Sequence, residues 1–210
     1  MTKQNKIFLK SEGDNFFLRN KDAWFNDKDL LVEKVVKLNK KKKIKSVLEV
    51  GCGDGWRLDL IKKKINSKCY GVEPSKKAIK CSKNKNIKII RGTAEKLGFK
   101  NLKFDVLIYG FCLYLVDAED LFKVVYEADK ILKKNSHIII YDFYSKNSKY
   151  LNYRHDKRVK VHKYDFSKIF LWHPKYKLVE QKIFEMFKNQ KTTKTKNNWV
   201  PVVISIIKKI

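Results

Sequence analysis

The segment Val47-Leu48-Glu49-Val50-Gly51-Cys52-Gly53-Asp54-Gly55-Trp56 restricts the fold more than any other part of the chain. An apolar run of the kind buried on both faces of a parallel sheet enters three glycines at alternate positions, and a helical pattern follows. Glycine admits positive φ and lets a ligand lie against bare backbone, while the following helix start offers unpaired N–H groups. The spacing is G-x-G-x-G, not the G-x-G-x-x-G of nicotinamide and flavin sites. The next apolar run, Tyr70-Gly71-Val72-Glu73, ends in a carboxylate placed to accept both hydroxyls of an adenosine ribose.

Around this segment, short apolar runs alternate with helical spacing. Strands are expected at residues 46–50, 68–73, 87–91, 104–109 and 137–143, with helices near 55–65, 75–83 and 117–132. An amphipathic helix is expected over 26–40, capped by Asn26 or Asp27, with Leu31, Val32, Val35, Val36 and Leu38 on its apolar face. Past Tyr144 the pattern changes to a polar, aromatic and basic stretch. A short helix over 167–172 is stopped by Pro174, and β-like runs follow at 176–187 and 199–207. Such alternation implies a doubly wound, mostly parallel α/β sheet whose last two strands form an antiparallel edge pair. The expected organisation is one domain: 1–43 an N-terminal lid and helix, 44–144 the ligand-binding core, 145–210 a substrate-side insertion and the closing strands.

The charge balance bears on partners. There are 49 Lys+Arg against 22 Asp+Glu, a net +27, which invites a nucleic-acid reading. Yet only five of those cations are arginine, against 44 lysines, and alanine is as scarce as arginine while Ile, Asn and Phe abound. Selection for phosphate binding should favour the bidentate arginine fork, so AT-rich coding explains most of the charge. No apolar run reaches membrane-span length, and residues 1–14 lack an apolar signal core. Cysteines 52, 69, 81 and 112 form no C-x-x-C pair and have no histidine at ligand spacing. A cytoplasmic protein without disulfides or metal is therefore expected.

Taken in order, the motifs resemble those of class I S-adenosylmethionine (SAM)-dependent methyltransferases over residues 44–144. The resemblance is carried by VLEVGCGDG, YGVEPS, Arg91-Gly92-Thr93-Ala94-Glu95, Phe104-Asp105-Val106-Leu107-Ile108-Tyr109-Gly110-Phe111, and the ILKKNS turn before HIIIYDF. It implies a Rossmann-like seven-stranded sheet binding SAM and releasing S-adenosylhomocysteine, without a metal. It further implies that Glu49 and the backbone of Gly51, Cys52 and Gly53 hold the methionine part. Glu73 would take the ribose, with Pro74 near the adenine. Thr93 and Ala94 would face the adenine edge, and Tyr109, Gly110 and Phe111 would run beside the methyl group. Thr93 stands where the family commonly has Asp, and Asn135-Ser136 replaces a glycine pair, although Asn tolerates the left-handed conformation. Cys52 reads as a small residue that fits, and Trp56 as a helix-packing residue in preference to a cofactor stacker.

The fourth strand lacks the Asn/Asp-Pro-Pro-Tyr/Phe run found in many enzymes that methylate nucleobase nitrogens. That favours an oxygen or nitrogen of a small-molecule acceptor. Short aromatic-rich strings resemble methyltransferases of surface-saccharide pathways, so a saccharide or nucleotide-sugar acceptor is expected. Phe16, Phe17 and Arg19 suit either a lid or a strap on the sheet edge. Arg154 and Arg158 lie in a second candidate substrate segment. His155 and His162 are candidate bases, with Tyr164 as an orienting group. An RNA-directed enzyme and an inactive methyltransferase-like binding subunit are the alternatives.

Overall fold

A computed structural model describes residues 3–23, 28–187 and 199–210. Strands β1 (Ser46–Val50), β2 (Lys68–Glu73), β3 (Lys88–Arg91), β4 (Phe104–Gly110), β5 (Leu132–Phe143), β8 (Tyr176–Phe187) and β9 (Trp199–Lys209) form one seven-stranded sheet. Its order is β3-β2-β1-β4-β5-β9-β8, parallel through β5 and antiparallel at β9 and β8. The order reverses between β1 and β4, and crevices for ligands open beyond strand ends at such reversals. Every residue of β1 is buried, Glu49 included, as a strand covered on both faces requires.

Two hydrophobic clusters fill the faces of the sheet. One gathers Leu48, Leu107, Ile138, Ile140 and Ile207 with Phe104, Phe166 and Phe170. The other packs α3 (Leu30–Lys41) and α4 (Trp56–Ile65) against Val47, Val106, Ile108 and Ile139. α3 starts later than expected: its cap is Asp29, whose carboxylate accepts the Val32 N–H at 3.0 Å. The earlier candidates, Asn26 and Asp27, lie outside the described residues. Helix α5 (Lys76–Cys81) is capped by Ser75, and α6 (Leu121–Ile131) follows a short turn at Ala118–Asp120.

Two regions depart from expectation. The ILKKNS segment is no free turn: α6 ends at Ile131 and the chain enters β5 at once. A shift of register between Phe104 and Val106 accommodates the extra residues, with Asn135 at φ +59°. The polar stretch after Tyr144 contains an antiparallel hairpin, β6 (Lys149–Asn152) with β7 (Lys160–Lys163). Neither strand carries an apolar alternation: β6 is exposed throughout, and β7 has lysine at both ends with Val161 as its one aliphatic residue. A short helix, α7 (Ser167–Leu171), follows them.

The N-terminal segment is helical. Helix α1 (Gln4–Ile7) passes through a π-helical turn at Phe8–Glu12 into α2 (Gly13–Asn20). Ile7 and Phe8 pack on Tyr153 and Val159 of the insertion, tying the two additions together. Among the described residues, no helix is long and apolar enough to cross a membrane.

Candidate active site

The ends of β1, β2, β4 and β5 open into a cleft of about 1260 Å³, roofed by α2 and the β6–β7 insertion. Binding sites for single small molecules commonly occupy ~300–1,000 Å³. This cleft therefore has room for two ligands side by side.

The glycine loop forms one wall. Gly51, Gly53 and Gly55 all take positive φ, at 73°, 58° and 83°. Gly51 and Cys52 donate their N–H groups to the Val72 carbonyl, which fixes the loop against β2. Gly71, on β2, leaves space for Cys52, since a Cβ there would overlap the cysteine sulfur. Burial pushes the Cys52 thiol well above its ordinary pKa, consistent with a packing role.

Glu73 lines the cleft at the end of β2. Its carboxylate accepts the Gly53 N–H at 2.8 Å and the Ser75 N–H at 2.9 Å. One lone pair on each oxygen remains for a ligand. Burial pushes this carboxyl up to about 7, against the opposing pull of those two N–H donors. Pro74 and Thr93 line the cleft beside it, and the Thr93 hydroxyl donates to Glu95 at 2.8 Å. The structure turns Glu95 to the cleft and puts the Ala94 side chain in the core.

Glu49 is fully buried behind the cleft and paired with Arg57, which itself lines it. Arg57 also bonds Asp29 through Nε at 3.0 Å. The second oxygen of Glu49 is buried without a hydrogen-bond partner among the described residues, and burial raises this carboxyl against the pull of Arg57. Asp29 and Arg57 escaped sequence reasoning. The available signal was Glu49 itself, because a carboxylate inside an apolar strand requires a buried counter-charge. Trp56 also faces the cleft, correcting the helix-packing expectation; the Arg57 guanidinium lies 4.7 Å from its ring centre.

Beyond the loop, Gly110, Phe111 and Cys112 continue the lining, whereas Tyr109 is wholly buried against Phe170. Phe111 holds φ +50°, a strained value for a bulky residue, and donates its N–H to the Tyr141 carbonyl at 2.7 Å. Asp142, fully buried, fixes the following turn by accepting the N–H groups of Leu113 at 2.9 Å and Tyr114 at 3.2 Å. Nothing in HIIIYDF marked it as a loop anchor.

The roof contains Phe16, Phe17 and Arg19, all lining the cleft. Arg19 pairs with buried Glu12 and donates to the Tyr153 hydroxyl at 2.9 Å; that hydroxyl donates to Glu12 at 2.9 Å. Asp14 accepts from the Ser75 hydroxyl at 2.7 Å and the Lys77 N–H at 3.0 Å, docking α2 on the turn after β2. Arg154 and His155 reach the cleft with Tyr153.

Besides Glu49, Ala94 and Tyr109, three substrate-side candidates do not line it. His162 is buried between Tyr150 and Tyr164, with ring centroids at 4.3 and 5.6 Å, and its Nε2 meets Ser148 at 2.8 Å. Its other nitrogen has no hydrogen-bond partner among the described residues, and burial lowers its pKa. Tyr164 belongs to the same stack. Arg158 is exposed and pairs with Asp156 at 2.7 Å. Among the described residues, no group of three or more His, Cys, Asp or Glu could hold a metal ion.

The strand order, the glycine loop and the carboxylate after β2 are those of the class I SAM-dependent methyltransferase fold. Residues 48–140 match the family model described as a methyltransferase domain. An uncharacterised protein of Methanocaldococcus jannaschii is 32% identical over 120 residues, 57% of this chain and 55% of that protein. The chain thus spans about half the length of that curated relative. Among solved structures, the Burkholderia thailandensis 1,6-didemethyltoxoflavin-N1-methyltransferase was crystallised with 1,6-didemethyltoxoflavin and S-adenosylhomocysteine. It superposes with a TM-score of 0.70 at 11% identity, over 97% of this chain and 88% of that one. A chain from the complex of the Haloferax volcanii Trm112 methyltransferase activator with a putative methyltransferase gives 0.68 at 13%, over 94% and 97%. At these identities the structural likeness concerns the fold.

Proposed function

We propose that this protein transfers the methyl group of SAM to an oxygen or nitrogen of a small-molecule acceptor. The observation that carries the reading is the convergence of the Gly51–Gly53 loop, the backbone-held Glu73 and an aromatic far wall in one cleft large enough for two ligands. SAM, when bound, supplies a methyl already activated on a sulfonium, so the protein's task is mainly alignment and exclusion of water.

Glu73 accepts hydroxyls with its free lone pairs, held in place by the Gly53 and Ser75 amides. Arg57 and Asp29 present opposite charges at the cleft wall and suit the two charged ends of an amino acid. Phe16 and Phe17 cover the cleft from above. His155 is the candidate base that lines the cleft, placed to take the proton an O–H or N–H acceptor must lose.

Charge favours a small acceptor over RNA. The lining carries five carboxylates (Asp29, Glu73, Glu95, Asp117, Asp120) and five Arg or Lys (Arg19, Lys28, Arg57, Arg154, Lys163). The chain's surplus of positive charge is therefore elsewhere, whereas a phosphate-tracking channel would be cationic along its length. Saccharide and nucleotide-sugar acceptors belong in the first panel assayed.

Calorimetry with S-adenosylhomocysteine is the direct test. One-site binding in the micromolar range is expected, and no heat at millimolar ligand would overturn the reading. Methyl release from labelled SAM in the presence of an acceptor panel then tests transfer.

A further inference from the structure

The far end of the cleft is a continuous aromatic surface. The Phe111 ring lies 4.6 Å from Tyr141 and 5.0 Å from Phe143, centroid to centroid. The surface extends from Phe143 to Tyr114 at 4.9 Å, and from Tyr141 to Phe184 at 5.9 Å with the rings 23° from parallel. All five rings line the cleft. Phe111 is held there in a left-handed conformation that a phenylalanine adopts only at a cost in strain. The chain thus sustains strain to keep a ring at the junction of the two ligand positions.

The segment after β5 adds cations to the lining, Arg154 and Lys163, and Lys163 Nζ lies 5.4 Å from the Phe143 ring centre. The carboxylate of Asp29 acts on Tyr141, but it is paired there with Arg57. A sugar presents hydroxyls around its whole rim and calls for carboxylate and amide acceptors facing them. This wall offers ring faces with cations at the edge, the complement of a flat π-system with a negative substituent.

We propose that the acceptor is a planar aromatic or heteroaromatic acid, its ring against Phe111, Tyr141 and Phe143 and its anionic group toward Arg154 and Lys163. Calling that molecule an acceptor rests on the methyltransferase reading; its binding does not.

The test is calorimetric titration of the full chain, with and without S-adenosylhomocysteine. The probes are 2-naphthoate, indole-3-acetate and 4-hydroxybenzoate, with 2-naphthamide as the neutral counterpart and UDP-glucose and methyl glucoside as the sugar arm. At least one aromatic acid should bind, naphthoate more tightly than naphthamide, and the sugars more weakly than either. Phe143→Leu should weaken the aromatic acids about tenfold. Lys163→Gln should remove the preference for naphthoate over naphthamide. Unchanged S-adenosylhomocysteine affinity and circular dichroism in both variants would exclude global damage. Failure of every aromatic acid at millimolar concentration, tighter sugar binding, or affinities untouched by both substitutions would overturn the proposal. Aromatic-acid binding with the expected variant pattern, but without any S-adenosylhomocysteine binding, would sustain it and remove the methyltransferase reading instead.

Discussion

At one end of the cleft, the surface that faces a ligand is largely backbone: the bare glycine loop at Gly51 and Gly53, the peptide of Gly110, and a carboxylate whose position two amides dictate. At the other end it is side chains: five rings, two cations and a histidine, drawn from the turn after β4, β5, the hairpin and β8. A backbone surface is specified by a few glycines at fixed spacing, and it serves the ligand common to a family. A side-chain surface can be rewritten residue by residue without disturbing the sheet. The difference separates what this fold must keep from what it is free to vary.

The comparison can be broken by substitutions that should act at one end only. The largest effect is expected for Asp142→Ala, which strands the buried N–H groups of Leu113 and Tyr114. It should lower unfolding stability by about 3 kcal/mol, measured by urea titration. A variant as stable as the parent would show that the Phe111–Tyr114 turn is held by something else.

Next, Glu73→Ala should weaken S-adenosylhomocysteine by about 1–3 kcal/mol, the range for hydrogen bonds to a charged group, and leave acceptor-end probes unaffected. Loss at both ends would erase the distinction between them.

A pH series sharpens the same point. The Glu73 carboxyl titrates at about 7 in the free protein, and hydroxyl donors favour its ionised form. Affinity should therefore be full above that value and fall about tenfold between about pH 8 and pH 6. Because the folded pKa is raised, Glu73 contributes stability at low pH that is lost as pH rises toward about 7. Asp142 also titrates at about 7, so Glu73→Gln, which should flatten the binding profile, assigns the effect.

A smaller change is expected from Tyr153→Phe, which removes one donor to Glu12 and one acceptor for Arg19: about 1 kcal/mol in stability, with a shift in acceptor KM and not in cofactor affinity. Arg158→Ala should change neither, since Arg158 is exposed on the outer hairpin loop and bonds only its neighbour Asp156 among the side-chain contacts described.

These contrasts match what could be read from the amino acids. The parallel strands were legible because burial on both faces leaves a mostly apolar run, as in VLEV, interrupted only by Glu49, and HIIIY. Glu73 and the glycine loop were legible because local geometry limits the residues allowed there. Arg57, Asp29 and Asp142 were not, because their roles depend on partners remote in sequence. The hairpin escaped because its exposed strand lacks the period-two apolar pattern. His162 misled for the opposite reason: a histidine among tyrosines suits a base in a cleft and an interior aromatic stack equally well.

One side chain in the roof has a further consequence. Gln4, almost fully buried, donates to the Leu115 carbonyl at 2.8 Å and accepts from the Lys160 N–H, while its own N–H reaches Asp117 at 2.8 Å. It is a keystone: the first helix, the turn after β4 and the hairpin all bear on it. Three segments far apart in sequence are thereby bolted together through one residue, so the cover over the cleft is a single unit and not three separate flaps.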